Sequence, residues 1–317
     1  MQQGIKMALP KISKQRKILA TLCTFWIPVK KYRKALRGIL LIGVKRYKDT
    51  VRADKIKKFD NELSVVAIMK NEGPYLKEWL DFHILNGVQK FYLYDNESTD
   101  DTATVLKPYV KKGIVEHIYW PGLAQQMVAY KDAVNKYSDK TRWMAFIDLD
   151  EFVFSLKYDN LVDYLKTLPQ FSALVVGWMI YGSSNQKEKK PGLVIERFKM
   201  HADKTWGVKS IFNPRMILDM NNPHTSEVAG FTIDENGKRL GFIDQTNNPP
   251  SCDIIRCNHY VTKSFDEFMT RCNKGDACYE NMADSPKAKA LNRFNIHNRN
   301  EVYDTVMDRF VEKLKKN

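Results

Sequence analysis

The stretch LSVVAIMKNEGPYLKEWLDFHILNGVQKFYLY, which runs from Leu63 to Tyr94, contains two apolar runs on either side of a helical pattern. The first run, LSVVAIM, is rich in β-branched residues, which favour strands. Apolar residues then recur at helical spacing from Leu76 onward, and Pro74 and Gly87 fit the start and the end of that helix. The second run, VQKFYLY, predicts another strand. A strand, a helix and a strand in this order predict a parallel pair in an α/β sheet.

The same alternation continues along the chain. TATVLKPYV predicts a second helix, with Ser98 and Asp101 as a capping box at its start. GIVEHIYW predicts a third strand, the residues from Gln125 to Tyr137 a third helix, and WMAFI a fourth strand. We therefore expect an α/β fold with a mostly parallel sheet covered by helices, followed by a helical C-terminal part at residues 270–317.

Three of the predicted strands end in polar clusters, which begin at Lys70, Asp95 and Asp148. In open α/β sheets, ligands bind beyond the carboxyl ends of the strands. In an extended segment Asp148 and Asp150 point to one side and Leu149 points away. Two carboxylates placed in this way suit Mn²⁺ or Mg²⁺, with phosphate oxygens completing the metal's shell. The first strand is followed by neither GxxxxGKS nor GxGxxG, which disfavours kinase-like and NAD-linked functions.

The positive charge of the chain is concentrated at its N-terminus. The formal net charge is +14, and residues 1–60 hold 17 Lys and Arg against three Asp, whereas the remainder is neutral. Two apolar patches, ILATLCTFWIPV and ILLIGV, lie between the basic segments, and each is shorter than the roughly 20 residues that span a bilayer. We expect residues 1–60 to lie on an anionic membrane surface. A solvated basic tail and an RNA-binding arm are the alternatives.

Two further features bear on the location of the protein. The first apolar patch ends in Pro28 and Val29 and is followed by two lysines rather than by a small-residue cleavage site. The five cysteines are an odd number, which favours reduced thiols. We therefore expect a cytoplasmic protein that associates peripherally with the inner face of a membrane. Its expected domains are a membrane-surface segment at residues 1–60 and an α/β domain at residues 61–317.

Three blocks of sequence resemble a known family when they are taken together. VAIMKNEGPYLKEWLDFHILNGVQKFYLYDNESTDD, AQQMVAYKDAV and WMAFIDLDEFVF are similar to glycosyltransferases of the GT-A fold, in particular family 92 and its bacterial relatives near family 2. WGVKSIFNP, PHTSEVAG and NHYVTKSFDEF continue the resemblance, which covers roughly residues 63 to 270. The resemblance implies a Rossmann-like GT-A domain that moves a sugar, with inversion, from a nucleotide sugar. UDP is the expected nucleotide, UDP-galactose is a candidate donor, and a glycan or lipid-linked hydroxyl is the expected acceptor.

The resemblance also implies roles for individual residues. Asp148 and Asp150 would hold Mn²⁺ or Mg²⁺ against the diphosphate, and His259 would be a further metal ligand. Asp95 would accept hydrogen bonds from the base, although Asp95 and Ser98 are also suited to capping a helix. The full set of expected contacts to the nucleotide sugar is Lys70, Asn71, Glu72, Asp95, Ser98, Gln126, Lys131, Asp148, Lys209 and Lys263.

An acceptor hydroxyl also needs a general base on the opposite face of the sugar. Glu227, in the block HTSEVAG, is the first choice, with His224 and Asp253 as the other candidates. Glu151 is expected either to bind sugar or acceptor hydroxyls or to orient Asp150.

Two other functional classes use the same features. A metal-dependent nucleotidyltransferase or phosphohydrolase would also use DLD at a strand end, usually with more carboxylates for a second metal. A nucleic-acid-binding protein would use the basic N-terminus and would bind with a steep dependence on salt. We favour the glycosyltransferase and expect no nucleic-acid partner.

Overall fold

The computed structural model of the protein describes residues 8–243, 249–273 and 287–316. Its strands are β1 (Asn61–Met69), β2 (Lys90–Asp95), β3 (Val115–Tyr119), β4 (Thr141–Phe146), β5 (Glu151–Ser155), β6 (Ala173–Ile180), β7 (Met200–His201), β8 (Gly207–Phe212), β9 (Ile217–Asp219), β10 (Glu227–Val228), β11 (Thr232–Ile233), β12 (Ile255–His259) and β13 (Val302–Tyr303). Its α-helices are α1 (Lys14–Leu22), α2 (Lys30–Ile42), α3 (Val44–Ile56), α4 (Gly73–Leu85), α5 (Thr102–Lys111), α6 (Gln126–Tyr137), α7 (Leu161–Thr167), α8 (Val194–Arg197), α9 (Phe265–Asn273), α10 (Lys287–His297) and α11 (Asp308–Lys315).

One central sheet organises the molecule. Its strands follow the order β3-β2-β1-β4-β8-β6-β12-β5, and β11 adds to β6. Strands β3, β2, β1 and β4 are parallel, as the alternating sequence predicts, whereas β8 is antiparallel to both β4 and β6. The predicted α/β fold with a mostly parallel sheet covered by helices is confirmed.

Helices cover both faces of this sheet, which explains the apolar runs in β1, β2 and β4. On one face, α4 buries Trp79 and Phe82 against the sheet, and Phe310 of α11 packs on Phe82 with ring centroids 4.9 Å apart. On the other face, α6 covers the sheet, and Tyr137 stacks on Tyr92 at 3.7 Å. Truncating a fully buried phenylalanine such as Phe82 to alanine costs about 3–5 kcal/mol in comparable cores.

The start of α5 differs from the prediction. Asp101 is the N-cap residue, but its side chain makes no capping hydrogen bond, so the predicted capping box is wrong. The Ser98 hydroxyl instead accepts a hydrogen bond from the Asn71 backbone N–H at 2.9 Å. Asp100 accepts one from the Thr102 N–H at 3.0 Å. Ser98 therefore joins the loop that follows β2 to the loop that follows β1.

The DLDE segment also differs in local shape. The Glu151 N–H donates to the Asp148 carbonyl at 3.1 Å, which makes a turn rather than the expected extended segment. Leu149 points into the main core, as expected. Glu151 is therefore the first residue of β5 and not the end of β4.

The described part of residues 1–60 packs on the α/β domain. Three apolar side chains of α1 and α2, Ala20, Leu41 and Ile42, form a small core with Met216, Leu218 and Ala229. Gly38 lies so close to β10 that a Cβ there would be 2.5 Å from the Val228 carbonyl oxygen. No helix in the described residues is long and apolar enough to cross a membrane.

Candidate active site

Lys209 lies among the carboxylates that follow β4. Its Nζ is 2.9 Å from Asp148 Oδ2 and 3.2 Å from Glu151 Oε2, and only 1% of its side chain is exposed. Because β8 runs antiparallel to β4, with Ala145 opposite Ile211, the strand brings Lys209 beside the carboxyl end of β4. Burial alone would lower the pKa of Lys209, but the two carboxylates outweigh it and hold the pKa well above its ordinary value.

Glu151 is completely buried beside this pair. Its Oε2 accepts the Asp148 backbone N–H at 2.9 Å, and its Oε1 has no hydrogen-bond partner among the described residues. Burial raises the pKa of Glu151 to about 8, and Asp148 adds to this while Lys209 opposes it. Lys209 thus pairs most closely with Asp148, and burial favours the protonated form of Glu151. The indole N–H of Trp79 donates to the carbonyls of Asp148 and Glu151 and holds the turn in place.

Asp150 has different partners. Its Oδ2 is 2.5 Å from Arg271 Nη1 and 3.3 Å from His259 Nε2. Burial raises the pKa of Asp150, but Arg271 and His259 more than offset this and hold it well below its ordinary value. His259 ends β12, and its ring is stacked on Trp178 at 4.2 Å. Sequence reasoning missed both Arg271 and Trp178, because neither lies in a pattern that indicates chemistry.

The donors fit a divalent metal in their chemistry. Asp150 Oδ1 and His259 Nδ1 are buried and have no hydrogen-bond partner among the described residues. Carboxylate oxygen and imidazole nitrogen are suitable ligands for Mn²⁺, and carboxylate also suits Mg²⁺. Within residues 8–243, 249–273 and 287–316, however, no three His, Cys, Asp or Glu side chains form a preformed metal cluster. Asp150 and His259, with Asp148 nearby, are the residues that would hold the ion.

Helix α6 contributes one residue to this site. Gln126 is buried, and its Nε2 donates to Asp148 Oδ1 and to the Tyr130 hydroxyl, both at 3.3 Å. The expectation for Lys131 needs correction, since its Nζ pairs with Asp219 at 3.1 Å on the surface. The two positions point in different directions because five residues advance a helix by well over one turn.

Asp95 is buried at the end of β2. Its Oδ1 accepts the Ser98 N–H at 2.9 Å, and its Oδ2 lies 2.8 Å from His117 Nε2. Burial raises the pKa of Asp95, but the hydrogen bonds from His117 and Ser98 outweigh burial. The net effect is a pKa below the ordinary value, so the group is ionised. Asp95 therefore shapes the loop that follows it, and His117 is a partner that sequence reasoning missed.

The loops after β1 and β2 are tied together by Asn71. Its backbone has a positive φ of 53°, and its side-chain oxygen accepts the Thr99 N–H at 2.7 Å. Glu72 follows as the N-cap residue of α4, and Lys70 is half-buried at the end of β1. The predicted strand-end cluster KNE thus lies beside the loop that begins at Asp95.

A cleft of about 380 Å³ opens between these loops and α9. Asn71, Thr99, Tyr75 and Glu267 are among its lining residues. Lys263 is buried nearby with its Nζ 4.5 Å from the centre of the Tyr75 ring. Burial lowers the pKa of Lys263, and the negative charge of Asp150 opposes this effect. Lys263 is therefore a second buried lysine that interacts with the carboxylates.

Of the three general-base candidates, His224 lies beside the cluster. Its ring is 5.1 Å from the Trp178 ring, and its Nδ1–H donates to the Val208 carbonyl at 3.1 Å, which leaves Nε2 as the proton acceptor. Burial, with Lys209 nearby, lowers the pKa of His224 to about 4.

The other two candidates need correction. Glu227 is on β10, and its carboxylate pairs with Arg37 of α2 at 2.5 Å, so it faces the N-terminal helices. Asp253 precedes β12, whereas His259 ends that strand, so the two residues lie at opposite ends of β12. The positions of Glu227 and Asp253 in the sequence could not reveal which way their side chains face, because that depends on packing between distant elements.

Residues 66–307 match the model of glycosyltransferase family 92. The chain belongs to glycosyltransferase family 92. A family 92 protein of Ricinus communis is 32% identical over 108 residues, which cover 33% of this chain and 19% of that protein. One of Oryza sativa subsp. japonica is 23% identical over 271 residues, covering 80% of this chain and 44% of that protein. A galactan beta-1,4-galactosyltransferase of Arabidopsis thaliana is 24% identical over 136 residues, which cover 39% of this chain and 27% of that protein. Each of these alignments thus covers less than half the length of the relative.

Solved structures resemble this family 92 member more distantly. Residues 1–349 of Staphylococcus aureus TarS in complex with UDP give a TM-score of 0.33 at 14% identity, covering 49% of this chain and 47% of that chain. Glucosyl-3-phosphoglycerate synthase of Mycobacterium tuberculosis with Mn²⁺, UDP and glucosyl-3-phosphoglycerate gives 0.24 at 16% identity, covering 40% and 46%. Scores this low support no inference about ligands here. The predicted membership of family 92 is confirmed by the family match.

Proposed function

We propose that this protein transfers a sugar from a UDP-linked donor to a hydroxyl of a glycan or lipid-linked acceptor, with inversion and with help from a divalent cation. The observation that carries the proposal is the meeting of Asp148, Asp150, His259 and Lys209 beyond the end of β4, beside the loops that follow β1 and β2. Membership of family 92 supports the reaction class. The galactan galactosyltransferase among the relatives supports UDP-galactose as the first donor to test.

The cleft between Asn71 and α9 suits the nucleoside, and the carboxylates suit the diphosphate end of the donor. Lys263 and Arg271 both interact electrostatically with Asp150, and they supply positive charge for the phosphates. A bound divalent cation, held by Asp150, Asp148 and His259, would stabilise the negative charge on the departing diphosphate. Lys209 balances Asp148 whether or not the donor is present.

His224 is the residue that we assign to the acceptor side. Its Nε2 carries the free lone pair, and the low pKa keeps the ring neutral at physiological pH. A neutral imidazole can accept a proton from the acceptor hydroxyl as the sugar is transferred. In this proposal His224 replaces Glu227 as the first candidate for the general base.

Donor hydrolysis tests the proposal without knowledge of the acceptor. The full chain with Mn²⁺ is offered a panel of UDP-sugars, and the products are separated by chromatography. We expect UDP from one donor, lost with EDTA and reduced by about a hundredfold or more in Asp150→Ala. Asp219→Ala removes an exposed carboxylate and is the matched control, which should retain activity.

Two outcomes would contradict this function. Release of UMP and a sugar phosphate would indicate cleavage at phosphorus, as the nucleotidyltransferase or phosphohydrolase alternative predicts. No product from any donor, together with no UDP or Mn²⁺ binding by calorimetry, would remove the basis for a glycosyltransferase. A circular dichroism melt of Asp150→Ala shows whether its loss of activity reflects loss of the fold.

A further inference from the structure

An apolar surface lies where α1 and α2 meet. We call it the α1–α2 patch, and six of its side chains are between 46% and 67% exposed. Its members are Ile18, Leu19, Leu22, Phe25, Trp26 and Val29. They recur at intervals of one to three residues along α1, the following turn and the residue before α2. Single exposed apolar residues are common, but a contiguous group of this size marks an interaction surface.

The patch belongs to a folded surface rather than to a loose tail. The opposite side of the two helices is buried through Ala20 and Leu41 against Leu218 of the α/β domain. Arg37 of α2 reinforces the contact through its ion pair with Glu227. The domain therefore fixes which side chains of α1 and α2 remain outside.

Trp26 shows how the patch suits an apolar phase. Its indole N–H donates to the Cys23 carbonyl at 2.9 Å, so the one polar atom of the ring is already paired. A tryptophan with a satisfied N–H enters an apolar environment without leaving an unpaired donor. Phe25 beside it has no polar atom to satisfy.

The surroundings of the patch carry one sign of charge. The sequence contains no Asp or Glu before Asp49. The exposed cations in the segment that carries the patch are Lys11, Lys14, Arg16, Lys17, Lys30 and Lys34. A second copy of this chain would bring like charges together across the patch, which is unfavourable. An anionic bilayer offers both an apolar interior for the rings and negative headgroups for the lysines.

We propose that the α1–α2 patch inserts into the surface of an anionic phospholipid bilayer, with Phe25 and Trp26 at its centre. Helices α1 and α2 have 9 and 13 residues, so they lie along the surface and do not cross it. This inference goes beyond the proposed glycosyl transfer, because it names a surface and a partner and does not depend on activity.

Vesicle flotation of the full chain tests the proposal. The vesicles are phosphatidylcholine alone, or phosphatidylcholine with about 30% phosphatidylglycerol. We expect the wild-type chain to float with the anionic vesicles, and Phe25→Ser/Trp26→Ser to lose at least about tenfold in binding. Tyr303→Ser is the matched control, since Tyr303 is 65% exposed on β13, and it should bind like wild type.

Three results would overturn the proposal. The first is equal vesicle binding by the double variant and the wild type. The second is equal binding of the wild type to neutral and anionic vesicles. The third is a dimer in light scattering that the double substitution converts to a monomer while vesicle binding is unchanged. The last result would assign the patch to a second copy. Thermal melts check the fold, which neither exposed side chain supports.

Discussion

The two aspartates of the DLD motif are neutralised in different ways. Asp148 pairs with Lys209, which extends from a central strand and is almost fully buried. Asp150 pairs with Arg271, which extends from α9 and has 35% of its side chain exposed. Asp148 has Lys209 as its cationic partner among the described residues, whereas the buried Asp150 also has His259 at 3.3 Å, which stays beside it if Arg271 turns away.

This difference divides the site into a fixed part and an exchangeable part. Lys209 cannot leave Asp148 without exposing buried charge, so it acts as a permanent cation in the structure. In the proposed function, Arg271 is the cation that gives way when a metal binds Asp150. The comparison therefore predicts that the two cations respond very differently to mutation.

The largest effect is expected for Lys209→Met. It leaves the ionised Asp148, which is 32% exposed, without its buried cation, and we expect a loss of about 3 kcal/mol in the free energy of unfolding. Urea denaturation at neutral pH measures it. Lys131→Met removes an exposed partner of Asp219 and is the control, with an expected loss below about 0.5 kcal/mol. Equal losses in the two variants would mean that Lys209 is not buried as described.

The next effect concerns Glu151 and pH. Its pKa is raised by burial to about 8, so the protonated carboxyl contributes stability that is fully present below pH 4.5 and is lost as the pH rises through 8. Wild type should lose about 1.4 kcal/mol between pH 7 and pH 9 through this group. Glu151→Gln is always neutral and should show a correspondingly flatter profile in urea denaturation with EDTA present. A profile parallel to that of wild type would show that Glu151 is ionised in the fold.

The smallest effect is expected for Arg271→Met. Asp150 keeps His259 at 3.3 Å, and water can replace the partly exposed Arg271, so we expect the loss to cost about 1 kcal/mol. The same change removes a cation that competes for Asp150, so the variant should bind Mn²⁺ at least as tightly as wild type by calorimetry. A stability loss as large as that of Lys209→Met, or a weaker affinity for Mn²⁺, would contradict the exchangeable role.

The parallel strands could be predicted from sequence because their signals are local. LSVVAIM and VQKFYLY are apolar runs bounded by Pro74 and Gly87, and the structure has β1, α4 and β2 at these places. The hydrogen bond between Gln126 and Asp148 also agrees with the predicted order of strands and helices, which places the start of α6 and the end of β4 at the same edge of the sheet. The site was predictable to the extent that it lies at the carboxyl ends of these strands.

The rest depends on contacts between distant segments. Lys209 reaches Asp148 only because β8 inserts antiparallel beside β4, and no local pattern specifies that neighbour. Arg271 reaches Asp150 across 121 residues. Glu227 faces Arg37 because the N-terminal helices pack on β10, a contact that the surface charge of the segment does not indicate.

The packing of Ala20 and Leu41 on Met216, Leu218 and Ala229 has a consequence for synthesis. The N-terminal helices leave the ribosome before their docking surface, which is made roughly 180 residues later. At about 5–20 residues per second, these helices wait on the order of ten seconds or more for their own domain. During that interval both of their faces are open, so a nascent chain can meet a lipid surface before the rest of the protein has folded.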